Sequence, residues 1–554
     1  MRNADDQMEF SIREELTIVS RQTQRRNSSR VVREQAARSE FLVPVPLHPN
    51  NGDEARYANR NFIGNATKGL AHDNNGEVLP AAYEAYLGAI RSGATDDFDT
   101  LVTNGHFGWP NQDERRRFVN PQSGYAFDLE GTDPGQLSMR AAPAFASAEE
   151  AGEMVELYWM ALLRDTAFAA YPTDPIAIAA AKDLSGLSDF RGPKDSGGKV
   201  TPSLLFRDSY EGCTIGPYVS QFLLQPVAFG AQQIDTTIKT NQAATDFNSD
   251  FPTWLKVING WQPPASPAIA SGPRVYCCNG RAASQYVHVD VLFQAYFVAC
   301  VNLLSNGYAA AIENPYGQQI DNGTGKPLPT GMFGTMSQVG FGTFGAPAIA
   351  TLVCEAASRA LKHMWYQKWI VHRRLRPEEF GGRVEAQRLG LNTYPFHADL
   401  FGSSVLPKIL ANPRFKSHLL PVAFPEGSPV HTSYGSGHAT VAGACVTMLK
   451  AFFDGSQIVK NPMVPDPSDP TKLIPYVAPK GEPPLTVLGE LNKLASNISQ
   501  ARNIAGVHWR TDATESNKLG EEVAISMLRD MNDLYNEPFN GFSLSRFDGT
   551  AITI

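Results

Sequence analysis

Several features that would place a sequence quickly are missing from this one. Its 554 residues include six cysteines, at 213, 277, 278, 300, 354 and 445, with no framework spacing. A disulfide scaffold is therefore excluded as the organising device. Cys300, Cys354 and Cys445 lie in apolar helical runs and are expected to be buried free thiols. Long apolar runs are missing too. The most apolar stretch, 289–312, is interrupted by Asp290, Gln294, Asn302 and Asn306, so it reads as a buried helix and not as a membrane span. Met1 to Arg30 is rich in Arg, Gln, Asp and Glu and lacks the apolar core of a signal peptide, which makes a soluble, cytoplasmic protein the expectation. Basic charge is not in excess: 48 Lys and Arg face 56 Asp and Glu, a net −8. A binder of nucleic-acid backbone needs the opposite balance. No internal repeat and no strand-like alternation stands out.

What remains is helical periodicity broken by long Gly- and Pro-rich loops. The stretch 147–169 places Met154, Leu157, Met160 and Ala161 at helical spacing, and Ser147 with Glu150 reads as the capping box that opens it. The stretches 289–304, 349–370 and 485–505 repeat the helical pattern. Segments 258–286 and 313–346 read as structured loops, and 461–484 carries a Pro every few residues and cannot be helix. The expected fold is mostly α, large helix bundles with excursions. It comprises a polar N-terminal arm (1–40), an N-terminal helical region (41–330) and a C-terminal helical bundle (331–554), forming one compact body.

Three blocks in the last third carry chemistry. The first is Lys368-Trp-Ile-Val-His-Arg-Arg-Leu-Arg376-Pro377, the second His431-Thr-Ser-Tyr-Gly-Ser436-Gly437-His438, and the third Arg502-Asn-Ile-Ala-Gly-Val-His508. Each has a bland reading. Lys368, Arg373, Arg374 and Arg376 could be a solvated basic helix end favoured by the helix dipole. Ser436, just before the apolar run Val441, Ala442, Cys445, Met448, Leu449, Phe452, could be a plain N-cap. His508, after Gly506, could be structural. Together, however, the blocks supply a Lys, two Arg, a hydroxyl beside the free amides of a helix N-terminus, and three His. That inventory suits a compact trianionic oxoanion such as phosphate or vanadate better than a metal dication. Lys368 shares a face with Leu361, Met364 and Trp365, which points it into a cavity. Asp512, four residues after His508, can accept the proton of one ring nitrogen and leave the other free as nucleophile or ligand.

Lys-x7-Arg-Pro, Ser-Gly-His and Arg-x5-His resemble the superfamily shared by vanadium-dependent haloperoxidases and type-2 acid phosphatases. The haloperoxidase likeness, of the red-algal and bacterial bromoperoxidase type, runs well beyond the pocket. It includes Thr67-Lys-Gly-Leu-Ala-His-Asp, Phe127-Asp-Leu-Glu-Gly, Gly216-Pro-Tyr-Val-Ser-Gln-Phe, Tyr366-Gln-Lys-Trp and the closing Phe547-Asp-Gly-Thr. The resemblance implies two four-helix bundles, assembly as a homo-oligomer, and vanadate as cofactor. It implies oxidation of bromide and iodide by hydrogen peroxide to hypohalous acid, which halogenates small organic substrates, with neither nucleic acid nor membrane as partner. By the same resemblance His508 binds vanadium, and Lys368, Arg376, Arg502, Ser436 and the Gly437 amide hold the vanadate oxygens. His438 is the acid–base residue, His431 a proton relay, and Lys368 also polarises the peroxide.

Two finer expectations follow. Trp365, one turn before Lys368, is a candidate for the halide site, where it would keep the site dry and offer its N–H, extending the scope to chloride. A calcium loop is expected at Tyr316-Gly-Gln-Gln-Ile-Asp321-Asn-Gly, with Asp321 supplying a carboxylate. The competing readings are an acid phosphatase, with His508 attacking phosphorus and His438 protonating the leaving alcohol, and a non-catalytic oxoanion-binding module.

Overall fold

The computed structural model describes residues 4–103, 115–264, 273–316, 318–320, 327–329 and 338–554, with the side chains of 4–21, 102–103, 318–320 and 327–329 left out. Half of the expected calcium loop, Asp321 included, lies outside the described residues. In chain order the α-helices are α1 (Ala4–Leu42), α2 (Asp53–Arg56), α3 (Pro80–Ser92), α4 (Thr95–Thr103), α5 (Ala148–Leu163), α6 (Pro175–Leu184), α7 (Phe251–Ile258) and α8 (Gly280–Tyr286). They continue with α9 (Gln294–Ser305), α10 (Ala346–Tyr366), α11 (Pro377–Arg388), α12 (Ala398–Gly402), α13 (Val405–Ala411), α14 (Gly437–Phe452), α15 (Val487–Ile504) and α16 (Arg510–Leu534). The fold is mostly α, as the periodicity predicts.

α14 is the axis. Its sequence is apolar on nearly every side, and all its residues except His438 are buried, which is what a helix enclosed by others requires. It packs against α10, α15 and α16, and α10 and α15 each also touch α16, so these four helices form one bundle. Two glycines permit the tightest crossing. A Cβ added at Gly443 would collide with the carbonyl of Asn517 on α16, and one added at Gly520 with the carbonyl of Thr440 on α14. A second group of helices, α6, α12 and α13, gathers on α5, which also meets α15.

Other boundaries differ from the sequence reading for identifiable reasons. α5 is capped by Ser147, whose hydroxyl accepts the Glu150 amide, but the Glu150 carboxylate turns away to Arg374 instead of closing the box. α5 also stops at Leu163, before a turn in which Phe168 bonds across to Cys278. The helix expected from 289 begins only at Gln294, because Asp290 is drawn to His438 while Val289 and Val291 face solvent. α10 runs into a wide π turn over Gln367–His372. The expected loop 258–286 contains α8. Among the described residues there are four antiparallel two-stranded hairpins, pairing 227–229 with 232–234, 318–320 with 327–329, 463–465 with 473–475 and 543–545 with 551–553. Strands of three residues are too short for alternation to register in sequence. The Pro-rich 461–484 segment is indeed not helical and holds one of these hairpins. All six cysteines are free, Cys300 and Cys445 fully buried and Cys354 partly so. Among the described residues no helix is long and apolar enough to cross a membrane.

The α14–α16 crossing is testable. An exposed helical Gly→Ala change gains up to about 1 kcal/mol. Here Gly520→Ala is expected to lose about 1–3 kcal/mol through overpacking, read as a lower denaturant midpoint at unchanged slope.

Candidate active site

The three blocks meet at the N-terminal end of α14. Block one leaves α10 through the π turn, which carries Lys368 inward, and then reaches Arg376, the N-cap of α11. Block two enters α14, with Ser436 as N-cap. Its hydroxyl accepts the Ala439 amide at 3.4 Å, and the Gly437 and His438 amides that open the helix have no acceptor among the described residues. Block three leaves α15 at Arg502, breaks at Gly506 with φ of 82°, and presents His508 just before α16. Of the first block's basic side chains, Lys368 and Arg376 are 0 % exposed and Arg374 1 %, while Arg373 is partly exposed and ion-paired to Glu54. The solvated-helix-end reading is thereby overturned.

The partners of these cations sort them into two kinds. Arg373 pairs with the Glu54 carboxylate at 2.6 Å, and Arg374 with Glu150, Glu153 and Asp512. Lys368, Arg376 and Arg502 have no carboxylate partner among the described residues. The Lys368 Nζ donates to the carbonyls of Thr432 (2.7 Å) and Ser433 (2.8 Å). Arg376 donates to the carbonyls of His431 (3.0 Å) and Val507 (2.6 Å). Arg502 donates to the carbonyl of Val287 at 2.7 Å, lies over the Phe424 ring, and leaves its buried Nε without an acceptor. Carbonyls orient a cation without cancelling its charge. Burial, and then the neighbouring Arg376, push the Lys368 ammonium well below the usual lysine range. Burial likewise brings Arg376 down to about 9 and Arg502 down to about 10, against the opposing pull of Asp512 and Asp290 respectively. A cluster of buried cations that depress one another is short of an anion.

The histidines are oriented from behind. His508 Nδ1 lies 2.8 Å from Asp512 Oδ2, and its Nε2 lies 2.9 Å from Arg376 Nη1. A guanidinium can only donate, so Nε2 is the acceptor and Nδ1 carries the hydrogen. The lone pair on Nε2 therefore faces the cationic pocket. Burial, reinforced by Arg376 and Lys368, holds this ring neutral, far below the ordinary histidine range. His431 lies against Arg376 Nη2 at 3.0 Å and beneath Trp365, with ring centroids 5.0 Å apart. His438 Nε2 meets Asp290 Oδ1 at 2.9 Å; burial lowers its pKa and Asp290 opposes that shift.

The structure thus brings Lys368, Arg376, His431, Ser436, Gly437, His438, Arg502 and His508 to one place, with Trp365 beside them, while Asp321 lies outside the described residues. One expectation about Trp365 is corrected: its indole N–H donates to the Val119 carbonyl at 2.9 Å, so that N–H is not available to a halide. The ring stands 5.9 Å from Lys368 Nζ, and a Cβ on Gly437 would meet it at 3.1 Å. Trp365 therefore covers the pocket as an apolar wall. Sequence reasoning missed Asp290 as a partner of His438, although a lone acid inside an apolar stretch was a signal. Among the described residues, no group of three or more His, Cys, Asp or Glu is placed to hold a metal cation. The chemistry of the donor set, three cations, two free amides and one imidazole lone pair, fits vanadate.

The Thr67–Asp73 segment supports this arrangement. Glu379 takes the Arg376 amide (2.6 Å), the Thr67 amide (2.6 Å) and the Lys68 amide (3.0 Å), tying that motif to the α11 cap. Within it, burial pushes His72 down to about 3, as it does His372 beside the pocket.

Comparison with known proteins agrees with this geometry. A model described as the VCPO second helical-bundle domain matches residues 407–537. The chain is 35% identical to the vanadium-dependent bromoperoxidase of Corallina pilulifera, covering 91% of this chain and 94% of that one. It is 32% identical to that of Ascophyllum nodosum, covering 88% and 86%. A solved homohexameric structure of the second vanadate-dependent bromoperoxidase of Ascophyllum nodosum superposes with a TM-score of 0.85 at 29% identity, over 96% of this chain and 90% of that one.

His72 and His372 set a pH dependence. Their folded-state pKa values lie below the unfolded value of about 6.5, so the unfolded chain binds the extra protons. Stability is therefore present above pH ~6.5 and lost as pH falls toward 3, by about 1.4 kcal/mol per pH unit for each ring. Denaturant titrations of the protein between pH 7 and 4 check this; a flat profile contradicts the assignment of both rings as buried and neutral.

Proposed function

The chain belongs to the vanadium-dependent bromoperoxidases, and from that premise we propose that its pocket holds vanadate and catalyses Br⁻ + H₂O₂ + H⁺ → HOBr + H₂O, with iodide and chloride as further halides. The observation that carries this reading is the set of three buried cations without a carboxylate partner among the described residues, gathered where His508 turns its unprotonated Nε2 toward Arg376. When bound, vanadate supplies a Lewis-acidic centre that activates peroxide without changing its own oxidation state.

The remaining work belongs to the protein. His508 Nε2 is the donor to vanadium, kept available by the Nδ1–Asp512 bond. Lys368, Arg376, Arg502, the Ser436 hydroxyl and the Gly437 amide would receive the vanadate oxygens through hydrogen bonds, charge-assisted from the three cations. Lys368 also draws electron density from peroxide, an assist strengthened by the dry site. His438, with its ring fixed by Asp290, takes and returns the proton of the peroxide. His431, between Arg376 and Trp365, relays protons. The hypohalous acid then halogenates small electron-rich organic molecules.

The division into 1–40, 41–330 and 331–554 is proposed with it. α10, α14, α15 and α16 lie in the third part, but Asp290 comes from the second, so the site spans both. Assembly as a homo-oligomer is proposed on the likeness to the homohexameric relative. Calcium at Asp321 is proposed on the sequence alone. The phosphatase reading yields to the bromoperoxidase relatives, which match over most of the chain.

His508→Ala is expected to abolish peroxide-dependent bromination of a dye after loading with orthovanadate, while near-normal turnover in a folded variant rules out His508 as the anchor. Arg376→Ala and Arg502→Ala are each expected to weaken vanadate binding by about 1.5–3 kcal/mol, the worth of a hydrogen bond to a charged group, measured by calorimetric titration.

Trp365 is expected to set the halide scope through dryness. Wild type should chlorinate a dimedone-type substrate at mildly acidic pH, more weakly than it brominates, and Trp365→Arg should lower chlorination by admitting water. No chlorination by wild type, or better chlorination by the variant, removes Trp365 from that role.

A further inference from the structure

Behind His508 lies a second layer of buried charge that the reaction does not consume. Asp512, 0 % exposed, uses its two oxygens differently. Oδ2 takes His508 Nδ1 at 2.8 Å, the Ser433 hydroxyl at 2.5 Å and the Trp509 amide at 3.2 Å. Oδ1 takes Arg374 Nη1 at 2.9 Å. Arg374 is itself clamped. Its Nη1 also meets the Thr511 hydroxyl at 2.9 Å, and its Nη2 meets Glu153 at 2.8 Å and Glu150. Its guanidinium lies 4.6 Å from the Trp509 ring centroid. Glu153 additionally receives the Thr511 amide at 2.7 Å, so α5 is stitched directly to the first turn of α16, where Asp512 sits.

We infer that Arg374 is a positioning residue for the cofactor ligand. By holding Asp512 Oδ1 from the far side, it fixes the carboxylate plane so that Oδ2 faces His508 Nδ1, and through that bond it aims the Nε2 lone pair. The inference rests on the reading of His508 as the vanadium-binding residue.

Three observations separate this role from bulk packing. The side chain of the adjacent Arg373 is also ion-paired, to Glu54, and otherwise donates to the Trp369 and Ile370 carbonyls, reaching no pocket side chain among the described residues. Arg374 alone of the paired arginines in its block reaches a residue that touches a pocket histidine. The Glu150 carboxylate forgoes the capping-box bond its position invites, so the N-terminus of α5 gives up local helix stabilisation to hold Arg374. Without Arg374, Oδ1 would be a buried acceptor with no donor among the described residues, and the carboxylate plane would be held through Oδ2 alone. A lysine preserves the charge, but it has one nitrogen where the guanidinium offers two in a rigid fork, so it cannot span Asp512 and the two glutamates with the same geometry.

The test compares wild type, Arg374→Met and Arg374→Lys, each with ¹⁵N-labelled histidine. In the cofactor-free wild type, the His508 Nδ1–H should give a downfield resonance protected from exchange. In Arg374→Met that resonance should be lost or move upfield, and orthovanadate should bind about 10–100-fold more weakly, the usual cost of losing an outer-shell partner. At saturating vanadate the KM for bromide should stay within twofold of wild type, because the halide is not what Arg374 positions. Arg374→Lys should fall between the two in vanadate affinity. A folded Arg374→Met that keeps the protected resonance and binds orthovanadate within twofold of wild type overturns the inference and leaves Arg374 a purely structural ion pair. Should Arg374→Met fail to fold, Arg374→Lys decides alone: affinity several-fold below wild type supports the inference, and equal affinity overturns it. The reading beneath it fails separately, if orthovanadate leaves the His508 ring signals of the wild type unmoved; the cofactor-free comparison does not depend on that result.

Discussion

Positive charge left uncancelled in the protein interior is the constraint around which this molecule is arranged. Moving an ammonium or guanidinium out of water is costly, and most proteins offset the cost with a carboxylate. Here Lys368, Arg376 and Arg502 are given backbone carbonyls instead. Carbonyls satisfy the donors and fix their directions, but the net charge persists. The acids that could have cancelled it are held one layer back: Asp512 behind His508, and Asp290 behind His438. The result is a buried pocket with a standing demand for a compact anion.

Such a cavity must be held open by everything around it, and its parts come from far along the chain. The 287–290 segment alone carries the Val287 carbonyl to Arg502, His288 to Glu426 and Asp290 to His438. α14 delivers its N-terminus to the pocket because it is sheathed by three other helices, and α16, which crosses α14 at two glycines, delivers Asp512 in its first turn and His508 just ahead of it. The bundle is thus less a container for the site than the means of bringing helix ends to one point.

What could be read from sequence follows from what leaves a periodic or local mark. Apolar runs fixed the existence of α5, α10, α14 and α15. Helix-end chemistry fixed Ser436 and Gly437, and the four-residue step from His508 to Asp512 announced their contact. Periodicity and composition did not separate the four neighbouring cations, and only the family resemblance picked out Lys368 and Arg376, since what distinguishes Arg374 from Arg376 is its partners, Glu150 and Glu153, more than two hundred residues away. Asp290 had no periodic signature because it acts from a turn. The frame shift at the π turn is silent in sequence, as a helix with one wider turn keeps the same apolar composition. The indole of Trp365 was expected to offer its N–H inward; only the fold shows the Val119 carbonyl waiting on the other side.

The π turn over Gln367–His372 also bears on how this chain can vary in length. A helix advances about 100° per residue, from its 3.6 residues per turn, so deleting one residue just after Lys368 would swing the later side chains of the turn by about that angle and pull Arg376 out of register with the pocket. The connections between blocks are under no such restriction, for lengthening a loop costs little and grows only slowly with each added residue. Insertions and deletions among descendants of this sequence should therefore accumulate in the stretches that separate the blocks, while the eight-step interval from lysine to arginine is inherited unchanged.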